Sequence, residues 1–165
     1  PDSDRTSDWL MSLGANLWND LSANYLLQYN QDEKTTRRSD LQLTWRPGEH
    51  KLLNLRYVNN RISDMRQIDV SRQWPLGNGW YALGRYNYSL EDSRALETLA
   101  GVEYNAGCWA LRLAAQRYVT DNQKYNTSFF VLLELGGLAG IGMNPLQAIR
   151  DSIPGYENTY AQPRF

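Results

Sequence analysis

The sequence predicts an all-β chain, an antiparallel transmembrane β-barrel segment of about nine meander strands followed by a short C-terminal tail. Three observations predict it. Apolar residues recur at every second position in segments of about ten residues, the period of a strand with two different faces. The connections alternate between tight turns (18–20, 46–49, 75–79, 105–107) and longer polar loops (31–36, 61–65, 91–95, 120–126). Five of the six tryptophans, Trp18, Trp45, Trp74, Trp80 and Trp109, lie at or beside the tight turns.

Residues 1–7 are polar and read as loop. The first strand, about Asp8–Leu17, sets Trp9, Met11, Leu13 and Leu17 opposite Ser12 and Asn16. The second, Leu21–Asn30, sets Tyr25, Leu27 and Tyr29 opposite Asn24 and Gln28. In the third, Arg37–Trp45, Leu41, Leu43 and Trp45 oppose Asp40 and Gln42. Arg46-Pro47-Gly48-Glu49 then carries a turn signal, Pro fixing one central residue and Gly relaxing the next. The fourth, Lys51–Asn60, sets Leu53, Leu55 and Tyr57 against Asn54 and Arg56. The fifth, Arg66–Trp74, alternates less cleanly, because Arg72 falls on the apolar side with Ile68, Val70 and Trp74.

Pro75–Gly79 turns into the sixth strand, Trp80–Leu90, where Trp80, Ala82, Gly84, Tyr86 and Tyr88 oppose Arg85 and Asn87. The seventh, Leu96–Tyr104, sets Thr98, Ala100, Val102 and Tyr104 against Glu97, Gly101 and Glu103. The eighth, Cys108–Val119, sets Trp109, Leu111, Leu113 and Ala115 against Arg112 and Gln116. The ninth, Thr127–Leu135, is the most apolar run: Phe129, Val131, Leu133 and Leu135 share one face, Ser128, Phe130, Leu132 and Glu134 the other. Segments of this length cross a bilayer when tilted, whereas strands of soluble proteins average about half as long.

Bulk composition narrows the function classes. Lys+Arg is 17 against Asp+Glu 18, which argues against a polyanion-binding surface and so against nucleic acid. No apolar run of about 18 residues exists, so no transmembrane helix is expected, and barrel strands would not give one. Six Trp and eleven Tyr against three Phe suit a membrane–water interface; composition alone suits a Tyr/Trp-rich β-sandwich equally. The placement of Trp separates the two, since a soluble core has no reason to gather Trp at one end. It matches the aromatic girdle of an outer-membrane barrel, whose periplasmic turns are short. The tail then lies on the periplasmic side and the first strand starts outside. An odd strand count is expected of the C-terminal part of a larger barrel, with edges that further strands must complete. The expected division is 1–136 for the barrel strands and 137–165 for the tail. Gly136–Gly142 breaks the strand pattern, Asn144-Pro145 reads as a helix start, and Leu146–Asp151 as a short helix.

The run Gly137-Leu138 … Asn144-Pro145-Leu146 … Ile149-Arg150-Asp151-Ser152-Ile153-Pro154-Gly155-Tyr156-Glu157-Asn158-Thr159 resembles the C-terminus of the LptD family of outer-membrane lipopolysaccharide-assembly proteins. The hairpin Ala100-Gly101-Val102-Glu103-Tyr104 … Cys108-Trp109-Ala110-Leu111-Arg112 resembles that family's cysteine-bearing penultimate hairpin. The resemblance implies an N-terminal periplasmic domain and a large barrel plugged by the lipoprotein LptE. It implies that the last strand, with Tyr125, Thr127, Phe129, Val131, Leu133 and Leu135, meets the first barrel strand at a lateral gate through which lipopolysaccharide leaves. It further implies that this strand carries the signal read by the Bam assembly machinery, which could hold such a portion as an assembly substrate. The family's best-known members carry adjacent cysteines that bond to the N-terminal region; here Gly107 precedes a single Cys108, which leaves one such disulfide at most.

No enzymatic chemistry, cofactor or metal is expected. His50 is the only histidine, sits in a turn, and has no nucleophile motif with it; no cluster of metal ligands exists. The polar face collects Arg56, Arg85, Glu97, Glu103, Arg112 and Glu134. Facing a hydrated lumen, these could contact a lipopolysaccharide headgroup or a plug, or pair among themselves. The alternative to the translocon is a fragment of a generic porin-type barrel or a soluble lipocalin-like binder. A lipocalin would bury the Leu/Tyr/Trp face, a translocon would turn it to outer-membrane lipid.

Overall fold

The computed structural model describes residues 8–31, 34–120, 124–135, 141–142 and 146–159. They form one antiparallel sheet and one helix. The strands are β1 (Trp9–Trp18), β2 (Leu21–Asn30), β3 (Thr35–Gly48), β4 (Lys51–Asn60), β5 (Met65–Gly77), β6 (Trp80–Ser89), β7 (Arg94–Asn105), β8 (Trp109–Val119), β9 (Tyr125–Leu135) and β10 (Ile141–Gly142), and the helix is α1 (Leu146–Ser152). Each strand is hydrogen-bonded to its neighbours in sequence, and the order β1 to β10 has no crossover. The sheet does not close among the described residues, since β1 pairs with β2 alone.

All nine expected strands are present, and four run further than the sequence suggested: β7 starts at Arg94 and β9 at Tyr125, while β3 and β5 pass a proline. β3 continues through Arg46-Pro47-Gly48 by way of a register shift between Trp45 and Gly48. Pro47 has no N–H to give to a ladder, and a bulge tolerates it. The turn therefore falls at Glu49-His50, with His50 at φ 55°, instead of at Pro47-Gly48. β5 passes Pro75 through a similar shift between Pro75 and Gly77. The next turn, Asn78-Gly79, has φ 51° and 80°, the left-handed pair that suits a two-residue hairpin.

The end of the chain differs more. The glycine-rich stretch read only as a strand breaker contains β10, which pairs Ile141 with Leu133 and Gly142 with Leu132. Asn144-Pro145, the expected helix start, lies outside the described residues. α1 ends one residue later than expected.

The two faces are chemically distinct. One exposes Leu41, Leu53, Leu55, Tyr57, Tyr86, Leu113, Phe129 and Val131. The other holds the paired charges and one buried apolar patch, where Leu52, Leu83, Leu99 and Ala114 pack against Ile149 and Ile153 of the tail, with Phe130 and Tyr156 at its margin. The core of the molecule thus lies between the polar face and the tail. A large apolar surface left uncovered on the opposite face is the unusual feature. Among the described residues no helix is long and apolar enough to cross a membrane.

Candidate functional site

Three regions hold the residues singled out from the sequence: the outer edge of β9, the charged rows of the polar face, and the aromatic rows beside the tight turns.

β9 pairs with β8 along its whole length, from Val119 opposite Tyr125 to Trp109 opposite Leu135. On its other edge only Leu132 and Leu133 are paired, through β10. No described strand pairs with that edge over Tyr125–Val131, so its alternate N–H and C=O groups are open to a further strand. Phe129, Val131 and Tyr125 are exposed on the apolar face, Thr127 is exposed beside them, and Leu133 and Leu135 are half-buried.

The charges of the polar face bond to one another. Asp40 accepts from Arg56 Nε at 2.9 Å and from Arg38 at 3.3 Å. Arg85 bridges Asp69, with its closest contact at 2.6 Å, and Glu97 at 2.8 Å. Arg112 and Glu103 are both buried, face each other across β7 and β8, and meet at 2.9 Å; Arg112 also bonds to Glu134. Of the two sequence readings, mutual pairing is what these side chains do.

The tail crosses this face, and its geometry was not anticipated. Ile149 and Ile153, four apart on α1 and its exit, point the same way and are fully buried. Beyond them the chain runs extended, and side-chain amides from three strands bond to its backbone. Asn54 of β4 donates to the Pro154 carbonyl at 2.8 Å. Gln73 of β5 donates to the Glu157 carbonyl at 2.7 Å and accepts from the Glu157 N–H at 3.0 Å. Asn105, at the end of β7, donates to the Thr159 carbonyl at 2.6 Å. Gln73 therefore reproduces a strand-like pair with one tail residue, which explains why a fully buried amide is tolerated there.

Side chains of the tail complete the contact. Tyr156 and Thr159 both donate to Glu103, Thr159 at 3.1 Å. Arg112 donates to Asn158, and Ser152 to Glu97 at 2.9 Å. Glu103 thus accepts from a guanidinium and two hydroxyls, enough to satisfy a buried carboxylate. Burial first, and then the adjacent Glu103 carboxylate, push the Tyr156 phenol well above its ordinary value, so it remains a donor. Gly155 is at φ 83° and lies so close to the Arg46 guanidinium that a Cβ would collide with it. The His50 N–H donates to Glu157 at 3.2 Å.

The aromatic residues of the apolar face form two groups by the tight turns. Trp45 and Trp74 have ring centroids 6.1 Å apart. Tyr104 lies between Trp80, at 4.7 Å, and Trp109, at 5.2 Å. Trp18, on the first hairpin, is exposed and apart from both. Tyr104 belongs with the tryptophans although only Trp was expected there; its place on the apolar face one residue before the turn was the available signal. Cys108 is exposed in the turn between β7 and β8.

Asn54, Gln73, Asn105 and Tyr156 were missed as a set. Their partners are up to 100 residues away in sequence, and no local pattern links them. The arrangement binds and braces: a paired wall, a strapped tail and an open edge. The ring of His50 meets that of Tyr81 at 5.4 Å, a packing contact.

The chain is similar to known proteins over nearly its whole length. Residues 1–80 match the family model LptD, described as LPS transport system D. Among relatives, LPS-assembly protein LptD of Chromobacterium violaceum is 42% identical over 161 residues, covering 92% of this chain and 20% of the relative. That of Thiobacillus denitrificans is 40% identical over 158 residues, covering 94% and 21%. That of an Azoarcus species is 43% identical over 138 residues, covering 79% and 17%. The chain spans about a fifth of the length of these relatives.

Proposed function

We infer that this chain, which belongs to the LptD family, is a wall segment of an outer-membrane β-barrel that assembles lipopolysaccharide into the outer leaflet, a transport role without catalysis. The observation that carries the reading is the open edge of β9 over Tyr125–Val131, between an apolar face and a polar one. A membrane-spanning strand cannot keep such an edge unpaired, so strands outside this chain take it up. In the completed barrel that partner is the first strand, and the junction is the lateral gate for lipopolysaccharide. During assembly the same edge is the one presented to the Bam insertase.

In this reading residues 1–136 form the wall and 137–165 the periplasmic tail. The Leu/Tyr/Trp face meets lipid, with Trp18, Trp45, Trp74, Trp80 and Trp109 as its periplasmic girdle. Arg56, Arg85, Glu97, Glu103, Arg112 and Glu134 line the lumen, where the LptE plug sits. Because these charges are mutually paired, their role is to keep the wall rigid rather than to hold a headgroup. Cys108, exposed in a periplasmic turn, is placed to bond to the N-terminal periplasmic domain. A lipocalin-like binder would bury the apolar face, which here is exposed.

Disulfide scanning between Val131→Cys and cysteines along the first barrel strand of the full-length protein tests the gate. The reading predicts crosslinking in one register, with lipopolysaccharide export lost when the link is oxidised and restored on reduction. No crosslink in any register would overturn it.

A further inference from the structure

Arg72 is the residue that neither the lumen network nor the girdle absorbs. It is exposed on the apolar face of β5, two positions from Trp74. Opposite it are Leu53 on β4 and Gly84 on β6. Its guanidinium makes no ion pair or hydrogen bond with any other described residue. Its stem and Nε lie over Gly84, 3.9 Å from where a Cβ would stand. A guanidinium on a lipid-facing surface must find an anion or reach the interface, and among the described residues no carboxylate is bonded to it.

What lies beyond it follows from the strand register. One row runs Arg72, Gly84, Ala100, Ala115, Phe129 across β5 to β9. Three consecutive small residues leave a trough, with the cation at one end and an exposed phenyl ring at the other. On the loop side stands Tyr86, and on the turn side Leu113 and Val131. The groove that Ala100, Ala115, Leu113, Phe129 and Val131 line with Arg72 at its end has a volume of about 580 Å³ and a mainly apolar surface. It spans four strand spacings, roughly 19 Å at about 4.8 Å each, a length suited to a fatty acyl chain.

We propose that Arg72 and the Gly84–Ala100–Ala115 groove form a binding site for one anionic diacyl phospholipid, its phosphate on the guanidinium and one acyl chain along the groove. The proposal rests on the reading that the apolar face meets lipid. Charge selects the headgroup: among the described residues the site offers the Arg72 guanidinium, with Lys51 over the nearby Trp74 ring, and no carboxylate lines the groove to receive the ammonium of a zwitterionic lipid. Height selects the leaflet. Arg72 stands two residues, about 7 Å along β5, from Trp74 and nearer the tight turn than the longer loop of its strand. The occupant is therefore a phospholipid of the tight-turn leaflet.

The test uses the full-length protein, refolded and carried in detergent micelles with equimolar phosphatidylglycerol and phosphatidylcholine, and reads lipids retained in native mass spectra. The wild type should retain one phosphatidylglycerol in preference to phosphatidylcholine. Arg72→Gln should lower that retention about tenfold, Arg72→Lys should keep most of it, and Ala100→Phe, which fills the groove while leaving the charge, should lower it as well. Both positions are exposed, and sheet circular dichroism confirms folding. Undiminished retention in Arg72→Gln and Ala100→Phe would overturn the site. Retention of added lipopolysaccharide in place of phosphatidylglycerol, lost in Arg72→Gln, would overturn the occupant. Quenching of a fluorophore at Leu113→Cys by brominated lipid in vesicles separates the two levels. If it is quenched while Arg72→Gln changes nothing, the lipid-facing reading stands and the site fails; if it is not quenched, the parent reading fails.

Discussion

Replacing Ile153 with alanine would release the tail while leaving the sheet intact. Ile153 is fully buried, packed with Ile149 against Leu52, Leu83, Leu99 and Ala114. Truncating a buried isoleucine to alanine costs about 2–5 kcal/mol, the higher values applying where the site cannot collapse. Here the cavity would be floored by strands β4 to β8, whose ladders fix their spacing, so relaxation is small and the upper half of the range applies. The strands are paired without the tail, so the loss falls on docking. At 1.4 kcal/mol per tenfold, a loss of about 3.5–5 kcal/mol weakens docking by roughly 300- to 4,000-fold. Hydrogen exchange in the full-length protein reads this directly at the Glu157 amide, which donates to buried Gln73, and the Tyr156 amide, which donates to the Ile153 carbonyl at 3.0 Å. Both should lose protection by at least about 100-fold, with amides of β4 and β5 unchanged. Unchanged protection at Tyr156 and Glu157, or equal loss throughout β4–β8, would refute a separately docked tail.

Other outcomes follow from the same contacts. Gln73→Ala removes both bonds to Glu157 and should weaken docking by about 1–3 kcal/mol per group left unsatisfied, read by the same exchange. Gly155→Val, which forces a side chain onto Arg46 at a left-handed position, should expose the tail to limited proteolysis while the strands resist. Arg112→Met leaves Glu103 and Glu134 without their cation and should cost about 3–5 kcal/mol in urea unfolding; adding Glu103→Gln and Glu134→Gln should recover part of it. Docking should also fail in alkali. The released Tyr156 phenol ionises near pH 10, while the docked one is held protonated to higher pH. Its contribution is therefore complete below about pH 10 and lost as pH rises beyond it. Tyr156→Phe should show no such step in tail exchange.

What could be read from the sequence was what repeats. Period-two alternation revealed nine strands, and the alternate short and long connections ordered them, because both are local. Ends were misjudged where a bulge carried the strand past Pro47 and Pro75, since a proline reads as a turn when the opposite strand is unknown. Arg112 and Glu103 were assigned to one face by parity alone; that they pair depends on register between β7 and β8. The tail was the least readable. Ile149 and Ile153 have helical spacing, but nothing nearby reveals that Leu52, Leu83 and Leu99 leave an apolar patch on an otherwise polar face. Those leucines are one per strand, and they become a surface only when the sheet is assembled. Arg72 stood out as a break in the pattern, and the row of small residues beside it appears only in the register.

The central claim is that the two faces of one sheet meet different media, lipid on one and a hydrated, tail-lined interior on the other. A fluorophore attached in turn to cysteines at Leu111, Arg112, Leu113, Ala114 and Ala115 of β8 in the full-length protein, reconstituted with brominated lipid, tests it most directly. Quenching should alternate, strong at Leu111, Leu113 and Ala115 and weak at Arg112 and Ala114. Uniform quenching, or alternation of the opposite phase, would contradict the account.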